Sequence, residues 1–165
     1  MDLTKHAPRS PYHIGISGMM NLARMADKAR SERAGKNGDY RYGNDSGQDR
    51  LILNFLKISP EEFQEAAVNN PNDSELGAWV SERSGNRFGK IVDFNHMMLA
   101  REPEDEEAQA LFNSRIEGID SSRTDITTWT QLQDLDDELT FGIIDLARHA
   151  PRSPYNTDIL GIVGL

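Results

Sequence analysis

An all-α domain, a compact set of helices with an extended N-terminal arm and a glycine-rich loop after the first long helix, is the fold class predicted by this 165-residue sequence. Three observations lead there. Apolar residues recur at helical spacing along several stretches, a complete helix-start signature stands at Ser59-Pro60-Glu61-Glu62, and two prolines break up the first segment.

Taken in order, Pro8 and Pro11 oppose a helix over residues 1–13. Each removes a backbone donor and pushes the residue before it, Ala7 or Ser10, toward extended geometry. The arm is therefore expected to lie extended over the surface. From about Ile16 to Ala34 the pattern turns helical, with Ile16, Met19, Met20, Leu22, Ala23, Ala26 and Ala29 on a broad apolar arc and Gly35 stopping it. Residues 35–48 form the glycine-rich connection, longer than most helix–helix loops, with a short extended piece expected at Tyr40–Tyr42.

A second helix is expected over about 49–56. Ser59 then caps a third, with proline in the first turn and Glu62 at the capping-box position, and this helix runs to about Val68. After a break at residues 70–73, Asp73 is expected to cap a helix through Ser81, and another spans about 87–101. Pro103 is expected to start a helix whose first turn, Glu104 to Glu107, carries the charge that a helix N-terminus prefers. Thr127 or Thr128 caps a segment with Trp129, Leu132 and Leu135, followed by Asp136-Asp137-Glu138, and Phe141–Leu146 leads into the last residues.

Composition narrows the function classes. With 37% apolar and 27% charged residues the chain suits one packed domain with a solvated surface. The absence of cysteine excludes disulfides, zinc–thiolate sites and thiol nucleophiles. The apolar stretch Ile159–Leu165 is far too short to span a bilayer, so a soluble, cytoplasmic protein without membrane contact is expected. The net charge of −9 is uneven: residues 1–57 carry +4 and residues 58–165 carry −13. An acidic chain is repelled by nucleic acid, and none is expected as a partner. The basic third is expected to pack on the acidic remainder or on a neighbouring copy, or to form an anion pocket.

Residues 145–165 repeat residues 2–22 with 12 identities in 21 positions, including seven unbroken, His6–Tyr12 against His149–Tyr155. The chain reads as a complete helical domain at 1–144 and a partial second copy of the arm and first helix start at 145–165. Two origins fit: a truncated tandem gene, or a tail that occupies an arm-binding groove on a neighbouring molecule. The second predicts a homo-oligomer built through the N-terminal arm or its C-terminal copy.

Asp2-Leu3-Thr4, Pro8-Arg9-Ser10-Pro11, Leu22-Ala23-Arg24, Asp27-Lys28-Ala29-Arg30, the Gly35, Gly38, Tyr40 and Tyr42 set, and Thr128-Trp129 with Leu132, Asp134, Leu135 and Asp136 together resemble the bacterial proteins grouped as domain of unknown function 5069. The resemblance spans most of residues 1–140. It implies a small, largely helical cytoplasmic domain and brings no activity or cofactor with it.

Candidate chemistry centres on the first helix. At about 100° per residue, Arg24, Lys28, Ser17 and Ser31 share a polar face expected to meet solvent or the loop. Asp27 and Arg30 project within the apolar arc, where charges need partners. They form a structural ion pair, or else a pocket in which Asp27 accepts a proton and Arg30 clamps an anion. In the arm, His6, Arg9 and Tyr12 serve as docking anchors, or His6 as acid/base with Arg9 holding an anionic group.

Asp93 and His96 have the spacing of a helical metal pair, but the stripe of Phe88, Ile91, Val92, Met98 and Leu99 leaves them to one side, so no metal site is expected there. Asn95 falls on that stripe as a buried hydrogen-bonding residue. The glycine-rich loop lacks a phosphate-loop ending, and no cofactor is expected. The reading is a binding or interaction module that holds a partner or a small anionic ligand through Arg9, Arg24, Lys28, Arg30 and Tyr42. The alternative is an enzyme using Asp27, His6 and Tyr40 for acid/base chemistry on a small organic acid.

Overall fold

A central helix, α1 (Leu22–Arg33), is buried along every residue from Leu22 to Ala29, and the rest of the fold is arranged to cover it. The computed structural model describes residues 1–85 and 88–142; the repeat at 145–165 lies outside them. The described residues fold as helices and turns, with no strand.

α1 starts six residues later than the periodicity predicts. Ser17 (φ 54°), Gly18 (φ 69°) and Asn21 (φ 62°) all adopt the left-handed region, which ends any helical run before Leu22. Ile16, Met19 and Met20 are nonetheless fully buried, held in a turn instead of a helix. Asn95 holds that turn: its Oδ1 accepts from the Met20 amide at 3.0 Å and its Nδ2 donates to the Gly18 carbonyl at 2.9 Å.

The arm, residues 1–13, does not merely lie on the surface. It runs antiparallel along α1, from the Leu3 amide on the Lys36 carbonyl (2.9 Å) near the helix's C-terminal end to the Pro11 carbonyl on the Asn21 amide (2.9 Å) at its start. Leu3, Pro8 and Pro11 are buried in the process.

After a turn at Gly43–Asp45, α2 (Gly47–Leu56) is capped by Ser46. Tyr42 has extended dihedrals but pairs with no strand. α3 (Pro60–Asn69) carries the full capping box of Ser59 and Glu62 and packs on α1. α4 (Asp73–Arg83) is capped by Asn72, whose side chain accepts from the Glu75 amide. Asp73 is thereby free of the capping role expected for it.

α5 (Ile91–Ala100) follows a turn at Phe88–Lys90, and its Phe94 ring lies 4.6 Å from that of Phe55. α6 (Glu106–Asp120) begins at a capping Asp105, two residues after Pro103, and α7 (Trp129–Phe141) carries a capping box of Thr128 and Gln131.

Among the described residues two apolar clusters result. The larger joins α1 to α5 around Phe63, Met25, Ile52 and Leu76, while Phe112, Ile126, Leu132 and Leu135 form a smaller one between α6 and α7. Phe112 meets Trp129 edge-on at 5.0 Å there. The α6–α7 pair joins the larger body through directional bonds. On α7, Leu132 and Leu135 face the small cluster, and the opposite stripe of Thr130, Asp134 and Asp137 bonds to Met98, Ser10 and Arg24.

Candidate functional site

The polar residues of α1 meet this chain's own carboxylates. Of the two surroundings expected for Arg24 and Lys28, solvent or the loop, they meet the loop: Lys28 bonds to Arg41 and Ser46, and Arg24 lies by the Tyr40 ring. Neither faces solvent: their side chains are 4% and 3% exposed, because α2 and α7 close over that face. A helix buried all round cannot leave a charge unpaired, and each cation has an acid from a distant element.

The Arg24 guanidinium donates to both carboxylate oxygens of Asp137, to the Arg9 carbonyl at 3.3 Å, and sits 5.4 Å from the centre of the Tyr40 ring. The Tyr40 hydroxyl donates to the same Asp137 at 2.7 Å. Burial works against the Arg24 charge, but Asp137 more than offsets it and holds the guanidinium above its ordinary range. Among the described residues, Arg24 Nε alone of its donor nitrogens is buried without a partner.

One turn on, Lys28 Nζ donates to Asp49 at 2.7 Å, to the Arg41 carbonyl at 3.1 Å and to Ser46 Oγ at 3.2 Å, which uses all three of its protons. Here burial prevails over the attraction of Asp49, and the ammonium is pulled below its ordinary range. The other Asp49 oxygen accepts from the Gly43 amide at 3.0 Å. Gly43 has φ 65°, and a Cβ there would come within 2.9 Å of Pro60, so glycine is required for this bond. Tyr42 is buried alongside and donates to the Pro60 carbonyl at 2.6 Å.

The third assembly binds the arm. Asp27, 3% exposed, accepts from the Arg9 amide (2.9 Å) and from Arg9 Nε and Nη2 (both 2.9 Å). Arg9 also donates to Asp73 at the start of α4 and to the Ala23 carbonyl at 3.2 Å. Burial opposes the Arg9 charge, and the Asp27 and Asp73 carboxylates raise its pKa above the usual value.

Asp27 therefore has Arg9 as its main partner; Arg30 stands 3.8 Å away. Arg30 spends its Nε and Nη2 on the Ala67 and Asn70 carbonyls at the end of α3 (2.8 and 3.0 Å). His6 is exposed on the arm, and the Tyr40 hydroxyl is committed to Asp137, so neither hydroxyl nor imidazole is brought to Asp27 by any described bond. An apolar cleft between α2, α4 and α5, lined by Met19, Phe55, Leu56, Val80 and Ile91 among others, includes none of the predicted site residues. Asp93 and His96 are both exposed.

Burial, with the nearby carboxylates, raises the ionisation of both Tyr40 and Tyr42 well above the ordinary tyrosine value. A group whose folded pKa is raised contributes stability that is complete below its unfolded value, about 10, and is lost as pH climbs beyond it. The tyrosinate absorbance of these two residues, isolated by difference against Tyr40→Phe and Tyr42→Phe, is expected only as the helical circular dichroism collapses.

The profile of the family described as Domain of unknown function (DUF5069) matches residues 5–139, which hold Arg9 and every carboxylate just placed. The chain belongs to the DUF5069 family. None of the curated proteins compared with it matches. The DUF5069 span includes the first copy of the heptapeptide, at 6–12, and stops short of the second, at 149–155. Among the described residues no helix is long and apolar enough to cross a membrane.

Asp49, Asp73 and Asp137 of this DUF5069 chain are partners that sequence reasoning does not single out. A signal exists only for Asp137: Thr130, Asp134 and Asp137 recur at helical spacing opposite the Leu132–Leu135 side, which marks a polar face turned toward protein.

Proposed function

We propose that the protein is an interaction module that captures an arginine-bearing extended segment of polypeptide, supplied by a second copy of the chain when copies associate. The observation that carries this reading is the cradle around Arg9. The buried Asp27 carboxylate accepts from the main-chain amide and the guanidinium of one residue, so it reads backbone and side chain together. An extended peptide that carries arginine offers this combination.

The two other readings have less support. A small anion held by Arg24 or Lys28 has to displace a carboxylate already bonded to each. Acid–base use of Asp27 has to break three hydrogen bonds from Arg9.

The test uses the full chain with Arg9→Ala and Arg152→Ala, and a fluorescent peptide of sequence His-Ala-Pro-Arg-Ser-Pro-Tyr. The variant is expected to bind this peptide saturably in fluorescence polarisation. Binding should vanish when the peptide arginine becomes alanine or when Asp27→Asn is added. A folded variant that ignores the peptide would sink the proposal, and a melting temperature raised by small carboxylates instead would favour the anion reading.

A further inference from the structure

We infer that residues 149–155 are a second occupant of the Arg9 cradle, held in the same chain, so that arm and tail compete for one site; this rests on the module reading above. Three observations carry it. First, the identities fall where the cradle makes contact. Leu3, Pro8 and Pro11 are buried, Arg9 binds Asp27, and Ser10 binds Asp134 at 3.3 Å, and every one of these residue types recurs in the tail. Within residues 2–13, the positions that differ, Thr4, Lys5 and His13, are all exposed.

Second, the chain leaves α7 at the right place. Phe141 stacks on Tyr40, with ring centres 6.5 Å apart, and Tyr40 belongs to the loop after α1 whose Lys36 carbonyl binds the Leu3 amide. The groove that the arm follows thus begins beside the end of α7. Third, the reach from the end of α7 suffices. Leu146 lies four residues beyond Gly142, a reach of up to about 14 Å, and Arg152 lies ten residues beyond it, up to about 35 Å. The path that the arm takes along α1, a helix of 12 residues and so about 18 Å long, lies within that reach. Removing Arg9 therefore leaves the cradle occupied by Arg152, while an outside segment has to displace whichever copy is in place.

Two measurements on the full chain test this. In polarisation with the labelled heptapeptide, Arg9→Ala is expected to bind at least about tenfold more weakly than Arg9→Ala with Arg152→Ala, since a tethered competitor acts at millimolar effective concentration. Equal affinities would overturn the inference and leave the module reading standing; no binding by the double variant would overturn both. The chain has no cysteine, so Asp134→Cys and Ser153→Cys can be introduced in the Arg9→Ala background. Under mild oxidation a disulfide within one chain is expected, read by mass spectrometry. A disulfide-linked dimer would assign the tail to a neighbour's cradle, and no disulfide would deny it the cradle altogether; either result overturns the proposal.

Discussion

Replacing Asp137 by alanine is expected to lower the thermal midpoint by on the order of 10 °C, measured by circular dichroism. Breaking a buried pair by removing one partner costs about 3–5 kcal/mol, and for a chain of this size each kcal/mol moves the midpoint by roughly 2–4 °C. The reason is local. Asp137 is 1% exposed and takes bonds from both the Arg24 guanidinium and the Tyr40 hydroxyl, so its loss strands a charge and a phenol together. The conservative Asp137→Asn keeps an acceptor for Tyr40 and is expected to cost less. Arg24→Met combined with Asp137→Leu, which removes both charges and fills the space, should recover most of the loss. A double variant no more stable than Asp137→Ala would show that the pairing does not account for the effect.

Asp49→Ala is expected to be nearly as damaging, at about 3 kcal/mol or more, with a distinctive dependence on pH. It leaves the Lys28 ammonium buried beside two neutral acceptors and takes away the partner of the Gly43 amide. Lys28 is already pulled down by burial, and without Asp49 it falls further. A lysine whose folded pKa lies below its unfolded value, about 10.4, penalises folding at low pH, and the penalty lifts as pH rises toward that value. The gap between variant and parent, from urea denaturation, should therefore be widest near neutrality and narrow toward pH 10. The raised tyrosines, of which Tyr42 owes part of its shift to Asp49, bring a pH dependence only above their unfolded value of about 10, beyond this range. A gap that does not change with pH would mean that Lys28 is not the stranded group.

Features decided within a few residues are legible in the sequence itself. The Ser59 capping box depends on a spacing of three and appears as expected, and of the two threonines expected as a cap it is Thr128 that serves, in a box with Gln131. Asn95 is legible for the opposite reason: a single amide on an apolar stripe must find partners, and it finds the Met20 and Gly18 backbone. The first helix misleads because Ser17 takes left-handed dihedrals that its residue type does not announce, while the apolar spacing persists through the turn and masks the signal of Asn21, a residue type that visits that region readily. Asp73 misleads by one position, since its neighbour Asn72 caps just as well and releases it to Arg9.

The candidate site is half legible. Arg9, Arg24, Asp27 and Lys28 stand out as charges that need an account, but amphipathic reasoning assigns a helix one wet face, and α1 has none over its first two turns. Which acids cover it is a property of chain topology. Asp137 lies 113 residues from Arg24 in sequence, and Asp49 lies 21 from Lys28, separations at which spacing carries no information.

The joint between the α6–α7 pair and the rest of the fold behaves as a key in a lock rather than as grease between two blocks. Apolar surfaces tolerate sliding, because a methyl group moved by one turn still touches other methyl groups. Here Thr130, Asp134 and Asp137 must each find one particular partner, and a shift of one turn along α7 would strand Arg24. The pair therefore has one docked position and no nearby substitutes. Such a joint is either closed in register or open, which makes the helical pair a discrete unit of opening within the molecule.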